Sequence, residues 1–210
     1  MIFDCDGVLI DSEPIANRVF SQQLATVGIR MTPEEVWRHF VGHSRDRCIA
    51  MAGELRGAPL PEGFAQAWDD ALHDALDAEA RPVEGIPELL ASLPVPYCVA
   101  SNGEPTHMRR GLGAAGLLPL LEGRLFSAAE VAHPKPAPDV YLHAAKAMGV
   151  APGHCAVIED TSTGARAALA AGMHVLAYVG SPMNQRAELE RLGAVPFTRM
   201  REVPALLGFR

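Results

Sequence analysis

Short apolar runs alternate along this chain with longer segments in which apolar residues recur every three or four positions. The runs at residues 1–3, 97–100, 124–126, 156–158 and 175–179 have the length of strands and almost no polar members. A strand with one wet face alternates apolar and polar residues, whereas a strand buried on both faces reads as these do. Helical periodicity covers residues 86–93, 106–115, 138–148, 162–171 and 184–192, with Gly149 and Gly172 where C-caps are expected. The alternation predicts an α/β fold with a parallel sheet.

Residues 14–80 break the pattern. They read as four consecutive helices, at 14–27, 33–40, 44–55 and 64–80, with no strand-like run between them. This predicts a Rossmann-like parallel sheet core with helices on both faces, made of residues 1–11 and 82–210. An all-helical cap domain, residues 12–81, would be inserted over one end of the sheet, with hinges near 11–13 and 81–83.

Composition narrows the function. A chain of 210 residues, 49 % hydrophobic, can bury a full core. It has no apolar run of about 18 residues, and two acids among its first six positions make a poor signal peptide, so a cytoplasmic protein is expected. The cysteines form no Cys-x-x-Cys pair and read as reduced packing residues. A net charge of −7 argues against nucleic acid or an anionic membrane as partner. Positive charge is nearly all arginine, which draws attention to the lysines, Lys135 and Lys146.

Ligands of open α/β sheets sit at the carboxyl ends of the strands. The first run ends in Asp4 and Asp6, which an extended backbone would place on one side, roughly 7 Å apart. The second ends in Ser101-Asn102-Gly103, a hydroxyl and an amide ahead of a helix. After the third comes HPKPAPD (133–139), where prolines stiffen the backbone around Lys135, and the fourth ends in Glu159-Asp160. Taken one by one, these features also fit an acidic turn, a hairpin, an exposed lysine or a helix cap. Together they supply a nucleophile, a proton shuttle, a cation and oxyanion donors, the parts that phosphoryl transfer needs. The acids also suit Mg²⁺, which takes oxygen ligands.

The ordered set DCDGVLIDSE (4–13), 99–103, 133–142 and 157–164 resembles the four motifs of the haloacid dehalogenase superfamily of phosphotransferases, and the helical insertion resembles its four-helix cap. The resemblance implies Asp4 as the nucleophile that becomes an aspartyl-phosphate and Asp6 as the acid and base. It implies Ser101 on a phosphoryl oxygen and Lys135 balancing charge. Mg²⁺ would be held by Asp4, the Asp6 carbonyl and Asp160, with Glu159 helping directly or through water. Asn102, Gly103, Ser12 and the cap-loop residues His43 and Arg45 would meet substrate. Dehalogenating members lack the acid found here at Asp6, and phosphonate-cleaving members use a cap lysine, whereas this chain has no lysine before Lys135. β-Phosphoglucomutases carry Ser-Lys-Asn after the second-motif serine and a cap histidine where Ala16 stands. Glu104 and Ala16 therefore favour water as the phosphoryl acceptor, while Arg45 matches a mutase arginine and keeps that alternative open. A non-catalytic binding protein on the same fold is the third reading. The second half, notably 101–108 and 143–148, is similar to bacterial sugar phosphatases of the 6-phosphogluconate and hexitol-phosphate type. The expected protein is an Mg²⁺-dependent phosphatase of a small phosphorylated metabolite, a monomer or at most a weak dimer. The brevity of the first strand predicts a natural start a few residues upstream.

Overall fold

The computed structural model describes residues 1–43, 45–182 and 184–209. The chain divides into two units, Ser12–Ala80 and Met1–Asp11 with Arg81–Arg210.

The first unit contains α1 (Glu13–Thr26), α2 (Pro33–Phe40), α3 (Arg45–Arg56) and α4 (Phe64–Glu79). Ser44, where the third helix was expected to begin, lies outside the described residues. A capping box starts α2: the Thr32 hydroxyl accepts from Glu35 N–H, and the Glu35 carboxylate accepts from Thr32 N–H. Phe20, Leu24, Val36, Phe40, Cys48, Ala52 and Phe64 form the core of this unit. Trp68 stacks on Phe20 with ring centroids 3.9 Å apart. Arg18 on α1 grips both oxygens of Glu79 just beyond the last buried turn of α4, at 2.7 and 2.8 Å.

In the second unit β1 (Ile2–Phe3), β2 (Cys98–Ser101), β3 (Leu125–Ser127), β4 (Ala156–Glu159), β5 (His174–Tyr178) and β6 (Val195–Phe197) form a six-stranded sheet in the order β3-β2-β1-β4-β5-β6. Every pairing is parallel, with Ile2 opposite both Cys98 and Val157. The accompanying helices are α5 (Ile86–Ser92), α6 (Pro105–Ala114), α7 (Leu118–Leu121), α8 (Asp139–Ala147), α9 (Ser162–Ala170), α10 (Arg186–Arg191) and α11 (Val203–Leu206).

Period-two alternation explains why both faces of the strand interiors are apolar. Ile2, Cys98, Ala100, Val157, Val175 and Ala177 pack against Val140, Tyr141 and Ala144 of α8 and Ala165 and Ala168 of α9. Their neighbours Phe3, Val99, Ile158 and Leu176, on the opposite face, are buried as well. The four cysteines are free and buried.

The strand order reverses between β1 and β4, and such a reversal opens a crevice at the carboxyl edge. The chain enters it at Asp4, whose N–H still pairs with the Ile158 carbonyl at 3.0 Å. Asp6 is already past the strand, in an isolated bridge with Ile10, and Gly7 turns the backbone at φ +78°. The expectation of both acids on one extended strand therefore holds only as far as Asp4.

Candidate active site

Lys135, from the loop between β3 and α8, reaches the crevice and donates to two carboxylates. Its Nζ lies 2.6 Å from Asp4 Oδ1 and 2.7 Å from Glu159 Oε1, and all three residues are buried. The loop is held by Asn102, whose side-chain oxygen accepts from Lys135 N–H at 2.9 Å and whose amide donates to the Lys135 carbonyl at 3.3 Å. Asn102, expected on substrate, thus spends one N–H and its oxygen on the backbone of the lysine. Ser101 ends β2, and its buried hydroxyl accepts from Gly103 N–H at 3.0 Å. The Gly103 carbonyl accepts from the Ser127 hydroxyl at 2.7 Å, which ties this turn to β3.

Glu159 ends β4 with no solvent exposure. Its Oε1 accepts from Lys135 Nζ and from the Tyr141 hydroxyl, each at 2.7 Å. Its Oε2 accepts from the Thr161 hydroxyl at 2.9 Å and from Thr161 N–H at 3.2 Å. The same Thr161 oxygen caps α9 by accepting from Gly164 N–H. Gly164 lies so close that a Cβ there would overlap the Glu159 carboxylate.

Two carboxylates share one ammonium, and the one with more hydrogen-bond donors keeps its charge. Burial works to raise Glu159, but the Lys135 charge and the donors Lys135, Tyr141 and Thr161 outweigh it and hold the carboxyl below its usual range. Burial pushes Asp4 up to about 7 against the pull of Lys135, with the charges of Glu159 and Asp6 adding to the rise. Burial would lower Lys135, yet the Asp4 and Glu159 charges prevail and fix it as an ammonium. Burial and the Glu159 charge raise the Tyr141 phenol far above its ordinary value, so it is a donor.

Asp4, Glu159 and Asp160 each bring one carboxylate oxygen within 4.8 Å of the other two. A set of hard oxygen donors at that separation fits a divalent cation such as Mg²⁺. Asp160 rests against Gly7, where a Cβ would stand 2.8 Å from its Cγ, so glycine there answers both to the turn and to the acid beside it. Asp6, partly exposed, adds its charge to the neighbourhood of Asp4.

The remaining expected residues belong to the helical unit. Ser12 precedes α1 without a side-chain cap bond. His43 is exposed and lends its carbonyl to Cys48 Sγ at 3.9 Å. Arg45 is engaged: its Nε donates to Asp69 Oδ1 at 2.8 Å and its Nη2 to Asp69 Oδ2. Tyr141 and Gly164 escaped the reading of the sequence. Tyr141 sits six positions beyond Lys135 inside the apolar stripe of α8, where a tyrosine looks like ordinary core.

Curated relatives match this chain over nearly its full length. The 6-phosphogluconate phosphatase of Escherichia coli is 31 % identical over 207 residues, 98 % of this chain and 93 % of that protein. Hexitol phosphatase A of the same organism is 31 % identical over 201 residues, 92 % of this chain and 87 % of the relative. Among solved structures, a hydrolase of this family from Deinococcus radiodurans with bound phosphate and sodium superposes with a TM-score of 0.85 at 33 % identity, covering 99 % of this chain and 93 % of that one. A family model of haloacid dehalogenase-like hydrolases matches residues 1–172, and with these relatives it establishes that the chain is an enzyme belonging to that family.

Proposed function

We infer that this enzyme is an Mg²⁺-dependent phosphatase that hydrolyses a small phosphorylated metabolite, a sugar or polyol phosphate, through an aspartyl-phosphate on Asp4. The observation that carries the reading is the buried Lys135 bridging Asp4 and Glu159 at the strand-order reversal, with Asp160 alongside. A carboxylate against a fixed ammonium, in a crevice lined by further acids, suits attack on phosphorus with charge balanced nearby. The names of the two curated relatives support the substrate class.

In this reading an Asp4 oxygen attacks phosphorus and the bond to the leaving oxygen breaks. Asp6 gives that oxygen a proton, releasing the alcohol. Asp6 then takes a proton from water as the water attacks the phosphoryl group, which returns Asp4 as carboxylate and frees inorganic phosphate. Lys135 stays beside Asp4 throughout, and the Ser101 hydroxyl donates to a phosphoryl oxygen. Mg²⁺ held by Asp4, the Asp6 carbonyl and Asp160 would supply positive charge to the phosphoryl oxygens. The helical unit acts as the cap, with Ser12, His43 and Arg45 meeting substrate, and Arg45 exchanging Asp69 for a substrate oxygen. Glu104, exposed at the start of α6, supports water as acceptor, because an acid there repels a second phosphate.

The test is a panel of phosphorylated sugars and polyols, 6-phosphogluconate and hexitol phosphates included, assayed for phosphate release with and without Mg²⁺ in wild type and Asp4→Asn. Release that needs both Asp4 and Mg²⁺ is expected. Release from no member, or release untouched by Asp4→Asn, overturns the reading.

A further inference from the structure

Glu159 has a carboxylate oxygen within 4.8 Å of ligand oxygens of Asp4 and Asp160, which makes it a natural third ligand for a cation. Its hydrogen bonds say otherwise. An ionised carboxylate has about four acceptor directions. Glu159 fills four: Lys135 Nζ and the Tyr141 hydroxyl on Oε1, the Thr161 hydroxyl and amide on Oε2. The residue has no solvent exposure, so no water can replace a donor that is given up. On the α9 side the carboxylate already fills the space that a Cβ on Gly164 would take, so it cannot swing towards that helix. Ligating an ion through Glu159 would orphan a buried donor, which proteins avoid.

Tyr141 touches both partners of the ion pair. Its hydroxyl lies 2.7 Å from Glu159 Oε1, and Lys135 Nζ stands 4.6 Å from its ring centroid. Tyr141 is itself wholly buried, on the first turn of the helix that follows the lysine loop. Asp4, in contrast, has Oδ1 on Lys135 and a second oxygen besides.

We propose that Glu159 is a positioning residue that anchors Lys135 and stays out of the cation's inner shell, and that the Tyr141 hydroxyl enforces this by occupying the position Glu159 would otherwise turn to the ion. This rests on the phosphatase reading for the role of Lys135, but the ligand assignment is testable without turnover. Tyr141 is then a second positioning residue, acting on the nucleophile only through Glu159 and Lys135.

The experiment measures Mn²⁺ binding by the electron paramagnetic resonance of the free ion, without substrate, in wild type, Asp160→Asn, Glu159→Gln and Tyr141→Phe, and kcat and KM on the best substrate of the panel. Tyr141→Phe keeps the ring beside Lys135 and removes only the hydroxyl. Asp160→Asn is expected to weaken Mn²⁺ by roughly 30-fold or more, and Glu159→Gln by less than about a tenth of that loss. Both Glu159→Gln and Tyr141→Phe are expected to lower kcat by roughly tenfold or more with KM within about threefold, and Tyr141→Phe to bind Mn²⁺ as tightly as wild type or more tightly. A Glu159→Gln loss of Mn²⁺ affinity above that limit overturns the proposal, as does weaker Mn²⁺ binding or an unchanged kcat in Tyr141→Phe. If Glu159→Gln does not fold, the Tyr141→Phe pair of readings decides by the same limits. If wild type releases no phosphate from any substrate, the phosphatase reading fails and the Mn²⁺ comparison alone decides the ligand assignment.

Discussion

Replacing Gly164 with alanine sets two physical effects against each other. Glycine within a helix costs about 1 kcal/mol relative to alanine, so propensity alone makes Gly164→Ala stabilising. The site reverses the sign, because the new Cβ would overlap the Glu159 carboxylate. An exposed glutamate could swing aside cheaply. Glu159 is wholly buried and held by four hydrogen bonds, so moving it breaks one or two of them. Hydrogen bonds to a charged group contribute about 1.5–3 kcal/mol each, which gives a gross loss of about 1.5–6 kcal/mol. Subtracting the gain in propensity leaves about 0.5–5 kcal/mol, or a fall in Tm on the order of 1–20 °C for a chain of this size. Gly153 supplies the control: no heavy atom lies within 4 Å of where a Cβ would stand and its φ is not positive, so Gly153→Ala is expected between neutral and about 1 kcal/mol stabilising. Urea and thermal unfolding of both variants without added metal make the comparison. A Gly164→Ala protein as stable as wild type, or more so, would refute the packing argument around Glu159.

Three further outcomes follow from the same geometry. Asp4 titrates near 7 in the metal-free protein, so a cation that needs its carboxylate must expel a proton below that pH. Calorimetry in buffers of different ionisation enthalpy should therefore show about one proton released per Mg²⁺ near pH 6, almost none near pH 8.5, and an affinity that weakens as pH is lowered. Lys135→Met leaves Glu159 buried without its cation, at a cost of about 3–5 kcal/mol by urea unfolding at pH 7. Because Lys135 holds the Glu159 pKa down, that stabilisation is present above the ordinary carboxyl value of 4.5 and is lost as pH falls through the lower folded value, so the penalty should shrink in acid. Asn102→Ala releases both backbone bonds to Lys135, and we expect kcat to fall roughly tenfold while unfolding shows a loss of about 1–2 kcal/mol.

Strands β1, β2, β4 and β5 were legible because burial on both faces leaves their interiors apolar, and the half-buried edge strand β3 was found from the short run at 124–126. The sixth, Val195–Phe197, was not, since it is three residues long, contains Pro196 and lies at the sheet edge, where proline is tolerated and no apolar run is required. The four-residue helices α7 and α11 are too short for periodicity to show. In the site, the acids and Lys135 could be found because each follows a strand, and strand ends are where α/β sheets collect ligands. The wiring between them could not. The bond from Tyr141 to Glu159 spans 18 residues and the clamp from Asn102 to Lys135 spans 33, and no local pattern encodes such pairings. Arg45 shows the same limit, since its partner Asp69 stands 24 residues away on another helix.

The central claim is that Asp4 carries the phosphoryl group between substrate and water. Mixing the enzyme with its best panel substrate and Mg²⁺, quenching in acid within the first turnover, and measuring peptide masses tests it directly. The account predicts one phosphoryl group on the peptide that contains Asp4, absent from Asp4→Asn and gone once substrate is exhausted. A phosphoryl group on a different residue, or full turnover by Asp4→Asn, would contradict it.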